Sequence, residues 1–339
     1  MTFTWTNELA ALTPPFRGDG KPIKAKKVDA KLLEPVATSL APHVAKSYKP
    51  RKSLVELATT GKGSFADEAD AAIILAGTGL SGPFKGELTM VSEKDTKKVV
   101  NAVVDRWVEV HGMADTVEIC TLVGAWKPYD LFTTGFSVRF ARARVREWLA
   151  HHPHYDAALE RAKKLSGAKG FMPHEATHDG HARGIEVMSY LFPDHRPFFQ
   201  AGVDALKKTK DTKSSYLVAS VSSVDDMNRL APMVGISDLG RHGLVIPRSL
   251  KEQGLPFLVE ATKGESPPEG ESFALALSAY ASADAAAAVA RLLVWKSLHK
   301  LVTGYFAANK SLAKEALGPL QKSDEKKLRE AATKILTAI

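Results

Sequence analysis

The sequence predicts an all-α protein: an α-solenoid of stacked antiparallel helix pairs wound as a right-handed superhelix. Three observations carry that expectation. Apolar residues recur mostly at helical spacing along the chain of 339 residues. Helical stretches are interrupted at intervals by short proline-containing turns, as at His152-Pro153 and Pro193-Asp194. Where an apolar run such as "SYLVASV" would allow strands, the turn signals of a regular sheet are missing. The hydrophobic fraction of 45% is enough to bury a sizeable core in one large domain or two ordinary ones.

The N-terminal part stands apart from this pattern. "TPPFRGDGKPIKAKK", residues 13–27, has proline, glycine and lysine but few apolar side chains, so residues 1–27 are expected to form an extended or mobile arm. The repeat domain is then 28–339, with regular helices from near Val28 and a sub-boundary at the 263–272 loop. The glycine-rich "GTGLSG", Gly77 to Gly82, lacks the spacing of a dinucleotide loop and has no following lysine, and it is expected to end a helix.

The next elements follow from their periods. In "SEKDTKKVVNAVVDRWVEVHG", Val99, Val103 and Trp107 form one row and Val100, Val104 and Val108 the next, with charges on much of the other face. Ser92 with Asp95 marks the start of this helix, and Gly112 its end. "ADTVEICTLVGAW" gives its antiparallel partner, stopped before Lys127-Pro128. A second pair lies in "SVRFARARVREWLAHHPHYDAALERAKKLSG", with Phe140, Val145, Trp148 and Leu149 as one stripe and Tyr155, Ala158, Leu159 and Ala162 as the other. A third lies in "HARGIEVMSYLFPDHRPFFQAGVDALKK", where Ile185, Met188 and Leu191 or Phe192 face Phe198, Phe199, Val203 and Leu206 across the Pro193-Asp194 turn. Short helical pieces divided at Pro232, Pro247 and Pro256 follow. "KGESPPEGES", Lys263 to Ser272, is a loop, and beyond it come one long alanine-rich helix from about Asp284 to Ala307, another near Ser311 to Leu317, and a last one capped by Ser323 and opened by Glu325 or Lys326.

Successive helix pairs of roughly 30 to 45 residues stack into a solenoid because each pair exposes an apolar face that only a neighbour can bury. At "RFARARVREWLAHHPHYDAALERA" followed by "HARGIEVMSYLFPDHRPFFQAGVDAL", the chain resembles degenerate HEAT-like repeats. More narrowly, Arg146, Trp148, Leu149, His152 and Pro153 look like the turn found in the helical region of bacterial proteins that carry WGR or molybdate-regulator-like domains. No WGR tripeptide occurs, so the resemblance implies an architecture and no catalytic residue.

Composition narrows the classes of function. No run approaches the roughly 18 to 20 apolar residues that cross a bilayer, since "AAAAVARLLVWKSLHKLV" is interrupted by Arg291, Lys296, His299 and Lys300. The first residues carry Glu8 and no basic start before an apolar stretch, so no signal peptide and a cytoplasmic location are expected. The lone cysteine, Cys120, fits a small buried side chain in a reducing compartment. A formal charge of +8 favours acidic partners or polyanions.

Two stretches invite a chemical reading. "FMPHEATHDGHARGIEVM" contains His174-Glu175-Ala176-Thr177-His178, the letters of the zinc-hydrolase pattern in which two histidines hold the metal and Glu175 polarises its water, with His181 as a third ligand. Pro173 immediately before His174 and Asp179-Gly180 after His178 break that pattern on both flanks, so a polar connection is the expectation, with no metal, cofactor or catalytic residue assigned and zinc kept as the alternative. The other stretch holds Arg139, Arg142 and Arg146, at spacings that share one helix face and could meet phosphates, or could lie along the apolar stripe. Trp126 and Tyr129 in "WKPYDLFTTGF" are candidate aromatic anchors.

The function expected from these readings is a non-catalytic scaffold that binds a partner protein through an extended concave surface. The alternative is a nucleic-acid-binding HEAT-like protein with a cradle like that of DNA glycosylases, and the third reading is the zinc-dependent hydrolase. No membrane contact is expected.

Overall fold

The computed structural model describes residues 1–25, 93–122, 135–167, 184–209, 215–264 and 266–339. The helix expected from near Val28 and the glycine turn at Gly77–Gly82 lie outside the described residues. What is described is mostly helical with almost no strand, as the apolar periods require. No helix among the described residues is long and apolar enough to cross a membrane. The chain divides into two compact units, Pro15–Ala205 and a second made of Met1–Pro14 with Leu206–Ile339.

In Pro15–Ala205, α2 (Glu93–His111) and α3 (Met113–Leu122) are joined by Gly112 alone, which sits at φ +85°. That conformation costs a side-chain-bearing residue steric strain, which is why the sequence has glycine there. α4 (Gly135–Leu149) ends at the His152-Pro153 turn, α5 (Tyr155–Ser166) begins after it and stops at Gly167, and α6 (Gly184–Leu191) precedes α7 (Arg196–Thr209) across Pro193-Asp194. α2 packs on α3 and on α4, α3 packs on α5, and α4 packs on α6. Much of the expected stripes forms the core: Val100, Val104, Trp107 and Val108 of α2, Val145 and Leu149 of α4, Tyr155, Ala158 and Ala162 of α5, and Ile185, Met188 and Leu191 of α6 are all buried, whereas Phe140, Trp148 and Leu159 are half-buried. Each large apolar side chain so buried contributes about 1.5 to 3 kcal/mol.

In the other unit the N-terminus does not start as an arm. Thr2–Phe3 (β1) pairs antiparallel with Tyr280–Ala281 (β2), placing Phe3 opposite Tyr280 with ring centroids 5.3 Å apart. Thr6 then caps the short helix α1 (Asn7–Leu12) by accepting from the Leu9 amide. Regular helix therefore occurs earlier than near Val28.

The proline-divided stretch forms α8 (Ser215–Val218), α9 (Val224–Leu230), α10 (Ile236–His242), α11 (Val245–Leu250) and α12 (Leu255–Ala261). "SYLVASV" is helical at its start rather than a strand. Pro232 follows α9 and Pro256 opens α12 as expected, but Pro247 lies inside the first turn of α11, where its missing N–H interrupts no ladder bond. Ser223 and Asp226 form a reciprocal capping box on α9.

After the 263–272 loop come α13 (Glu271–Ser278), α14 (Ala283–Arg291), α15 (His299–Ala308), α16 (Lys310–Leu317) and α17 (Lys326–Ala338). The single long helix expected from Asp284 to Ala307 is instead broken. α14 ends at Arg291, two 3-10 turns follow at Leu292–Val294 and Lys296–Leu298, and Trp295 between them is extended. Tertiary contacts outweigh the helix propensity there: the Trp295 indole donates to the Pro267 carbonyl at 2.8 Å, Arg291 donates to the Thr262 carbonyl at 3.0 Å, and the His299 ring bonds the Leu293 carbonyl at 2.8 Å.

Candidate functional site

α4 is the most charged buried element of the Pro15–Ala205 unit. Of the arginines that could meet phosphates or lie along the apolar stripe, Arg142 and Arg146 are 0% and 1% exposed and so lie within the packing; the side chain of Arg139 lies outside the described residues. The physical reason is the company α4 keeps. It packs on both α2 and α6, and the segment after Pro15 runs along it. The Arg146 Nε donates to the Pro15 carbonyl at 2.8 Å, and its guanidinium carbon lies 5.1 Å from the Phe16 ring centroid and 4.7 Å from that of Tyr190. A planar, weakly hydrated cation is suited to such sandwiching between aromatic faces.

Arg144, outside the row read from the sequence, forms a buried ion pair. Its Nε and Nη2 meet the two carboxylate oxygens of Asp105 at 2.7 and 2.9 Å, and its Nη1 meets Glu147 at 2.6 Å. The Trp148 indole donates to the same Asp105 carboxylate at 2.7 Å, and Arg144 also reaches the Lys24 carbonyl at 3.3 Å. Burial works to lower the Arg144 pKa, but the hydrogen bonds and charges of Asp105 and Glu147 outweigh it and raise the value. The Gly18 amide donates to the Ala150 carbonyl at 2.8 Å and the His151 ring bonds the Asp19 carbonyl, so residues 15–24, expected as part of the arm, are tied to α4 and the turn after it. The buried arginines therefore order the segment rather than offer a cationic surface.

Cys120 is 1% exposed, and burial pushes its thiol up to about 12, against a smaller opposing effect of Arg142. At neutral pH it is a packed thiol and not a nucleophile. Ser189 is fully buried. Lys163 is engaged by Glu160 at 2.6 Å and Lys164 is exposed in the last turn of α5. Trp126, Tyr129, His174, Glu175, His178 and His181 lie outside the described residues. Among the described residues, no group of three or more histidine, cysteine, aspartate or glutamate side chains is placed to hold a metal ion.

An open groove of about 260 Å³ lies within the Leu206–Ile339 part, where the broken helix turns past the 263–272 loop. Val294, Leu320, Leu328 and Pro267 supply its apolar lining, and Lys263 and Arg291 supply two cations. Val294 is 39% exposed, one of few large apolar side chains left so open among the described residues. Lys263 pairs with Glu260 at 2.6 Å at the surface, whereas Arg291 is held in place by the Thr262 carbonyl. The only sequence signal for this groove was the Pro-Gly-rich loop itself. The residues that line it are spread from Thr262 to Leu328 in the chain, and the helix break that gathers them follows from contacts, not from composition.

No family model, no curated protein and no solved structure matches this chain.

Proposed function

We propose that this chain is a HEAT-like helical-repeat scaffold, an α-solenoid of stacked antiparallel pairs with a right-handed superhelix, that binds a partner protein through distributed contacts on an extended concave surface. The observation that carries this reading is the alternation of packing in Pro15–Ala205. In a stack of pairs, first helices touch first helices and second helices touch second helices. α2 touches α4 and α4 touches α6, while α3 touches α5, its own partner α2, and also α4 and α6. The short connection at Gly112 joins α2 and α3 as packed neighbours. Burial of Arg142 and Arg146 removes two of the three arginines on which phosphate contact rested, so protein is favoured over nucleic acid as the partner.

Photo-crosslinking tests the reading. With a benzoylphenylalanine introduced in turn at the exposed Lys98, Glu109 and Lys164, the expected result is one and the same protein, identified by mass spectrometry, captured from more than one position and rebinding when purified. Capture from no position by a chain that retains its helical circular dichroism would end the proposal.

A further inference from the structure

We infer that the groove lined by Val294, Leu320, Leu328, Lys263 and Arg291 is a docking site for an acidic, aliphatic peptide segment of a partner protein, a deepening that rests on the scaffold reading.

Three features select that occupant. The first is size: about 260 Å³ lies below the roughly 300 to 1,000 Å³ of ordinary small-molecule pockets, but it accepts an aliphatic side chain and the backbone on either side of it. The second is the apolar lining, in which Val294 is left 39% exposed. The third is charge complementarity. The described lining residues include two cations and no carboxylate; Lys263 is already paired with Glu260, which leaves Arg291 as the cation for the occupant, on a chain whose formal charge is +8. Arg291 is aimed by its bond to the Thr262 carbonyl at 3.0 Å, which spends one N–H and leaves the remaining donors of the guanidinium fork for a carboxylate. A leucine set among Val294, Leu320 and Leu328 with a glutamate beside it at Arg291 satisfies both halves of the groove. The Pro267 carbonyl accepts from the Trp295 indole at 2.8 Å, so the wall that an occupant touches is fixed beforehand and little ordering is needed on binding.

The probe is a short fluorescein-labelled peptide of alternating glutamate and leucine, titrated by anisotropy into the whole chain. Binding is expected to weaken about tenfold or more in Arg291→Gln and in Val294→Ser. It is also expected to fall when glutamine replaces the probe's glutamates or serine its leucines. Both substituted side chains are exposed, and circular dichroism checks that the variants keep their helix. Equal affinity of the variants, equal affinity for the substituted probes, preference for anionic vesicles over the peptide, or no binding by the parent each overturns the groove assignment. The two tests are separable: unchanged peptide affinity in Arg291→Gln and Val294→Ser removes the groove, whereas partner capture from Lys98 or Lys164 by the same variants leaves the scaffold standing.

Discussion

Asp105 and Arg144 show what a single buried pair asks of this fold. Asp105 is fully buried and Arg144 is 6% exposed, and the two meet in a bidentate pair at 2.7 and 2.9 Å that Trp148 completes. Desolvating two charges costs several kcal/mol, and the pair offsets this only while both partners are present. Asp105→Asn keeps the shape and removes the charge, leaving the Arg144 cation buried without its main counter-ion. The expected loss is about 3 to 5 kcal/mol of unfolding free energy by urea denaturation, and Asp105→Leu combined with Arg144→Met should recover most of it. A loss under about 1 kcal/mol in Asp105→Asn would show that the pair is far more hydrated than its burial implies. The four arginines of α4 are plain in the sequence, but their burial is not. Spacings of three and four place Arg139, Arg142 and Arg146 on one face whether that face meets solvent or a neighbour, and only the packing of α4 between α2 and α6 decides it.

Among the elements, the link between α2 and α3 is the one whose chemistry the sequence states outright. Gly112 at φ +85° donates to the Val108 carbonyl at 3.1 Å, and nothing lies within 4 Å of the position a Cβ would take. The glycine is there for conformation and not for space. Gly112→Ala is therefore expected to destabilise the chain by about 1 to 2 kcal/mol with no change in helical circular dichroism at low temperature. An unaltered urea midpoint would mean that the link relaxes into another conformation. The segment from α14 to α15 is the opposite case. Alanine-rich periodicity from Asp284 to Ala307 predicts one helix, yet the chain breaks at Trp295, where the indole finds the Pro267 carbonyl and the Arg291 guanidinium the Thr262 carbonyl. That loop was legible as a loop; that it would be pinned was not. Pro267 and Pro268 are buried in it, and a Cβ on Gly270 would stand 2.6 Å from the Gly240 carbonyl, so its backbone lies directly against α10.

At the scale of the whole molecule, stability should fall on mild acidification. Burial, with the nearby His154, lowers the pKa of His152, and burial, with Lys163, lowers that of His195, against a small opposing effect of Glu160. A histidine whose folded pKa lies below its unfolded value binds its proton more readily in the unfolded chain. Its contribution is complete above the ordinary value of 6.5 and is lost as pH falls through the lower folded value. The urea midpoint is expected to drop between about pH 7.5 and 5.5, and to drop less in His152→Gln with His195→Gln. An identical slope in the doubly substituted chain would sink this assignment. The sequence by itself determined that the protein is helical, where most helices in Pro15–Ala205 begin and end, and which apolar faces they bury, because period, proline and glycine act within a few residues of one another. The tertiary structure decided which charges go inside, where the alanine-rich helix breaks, that Thr2–Phe3 pairs with Tyr280–Ala281, and that Lys263, Arg291, Val294 and Leu328 share a groove. Those outcomes depend on residues distant in the chain meeting in space, and local periodicity carries no record of such meetings.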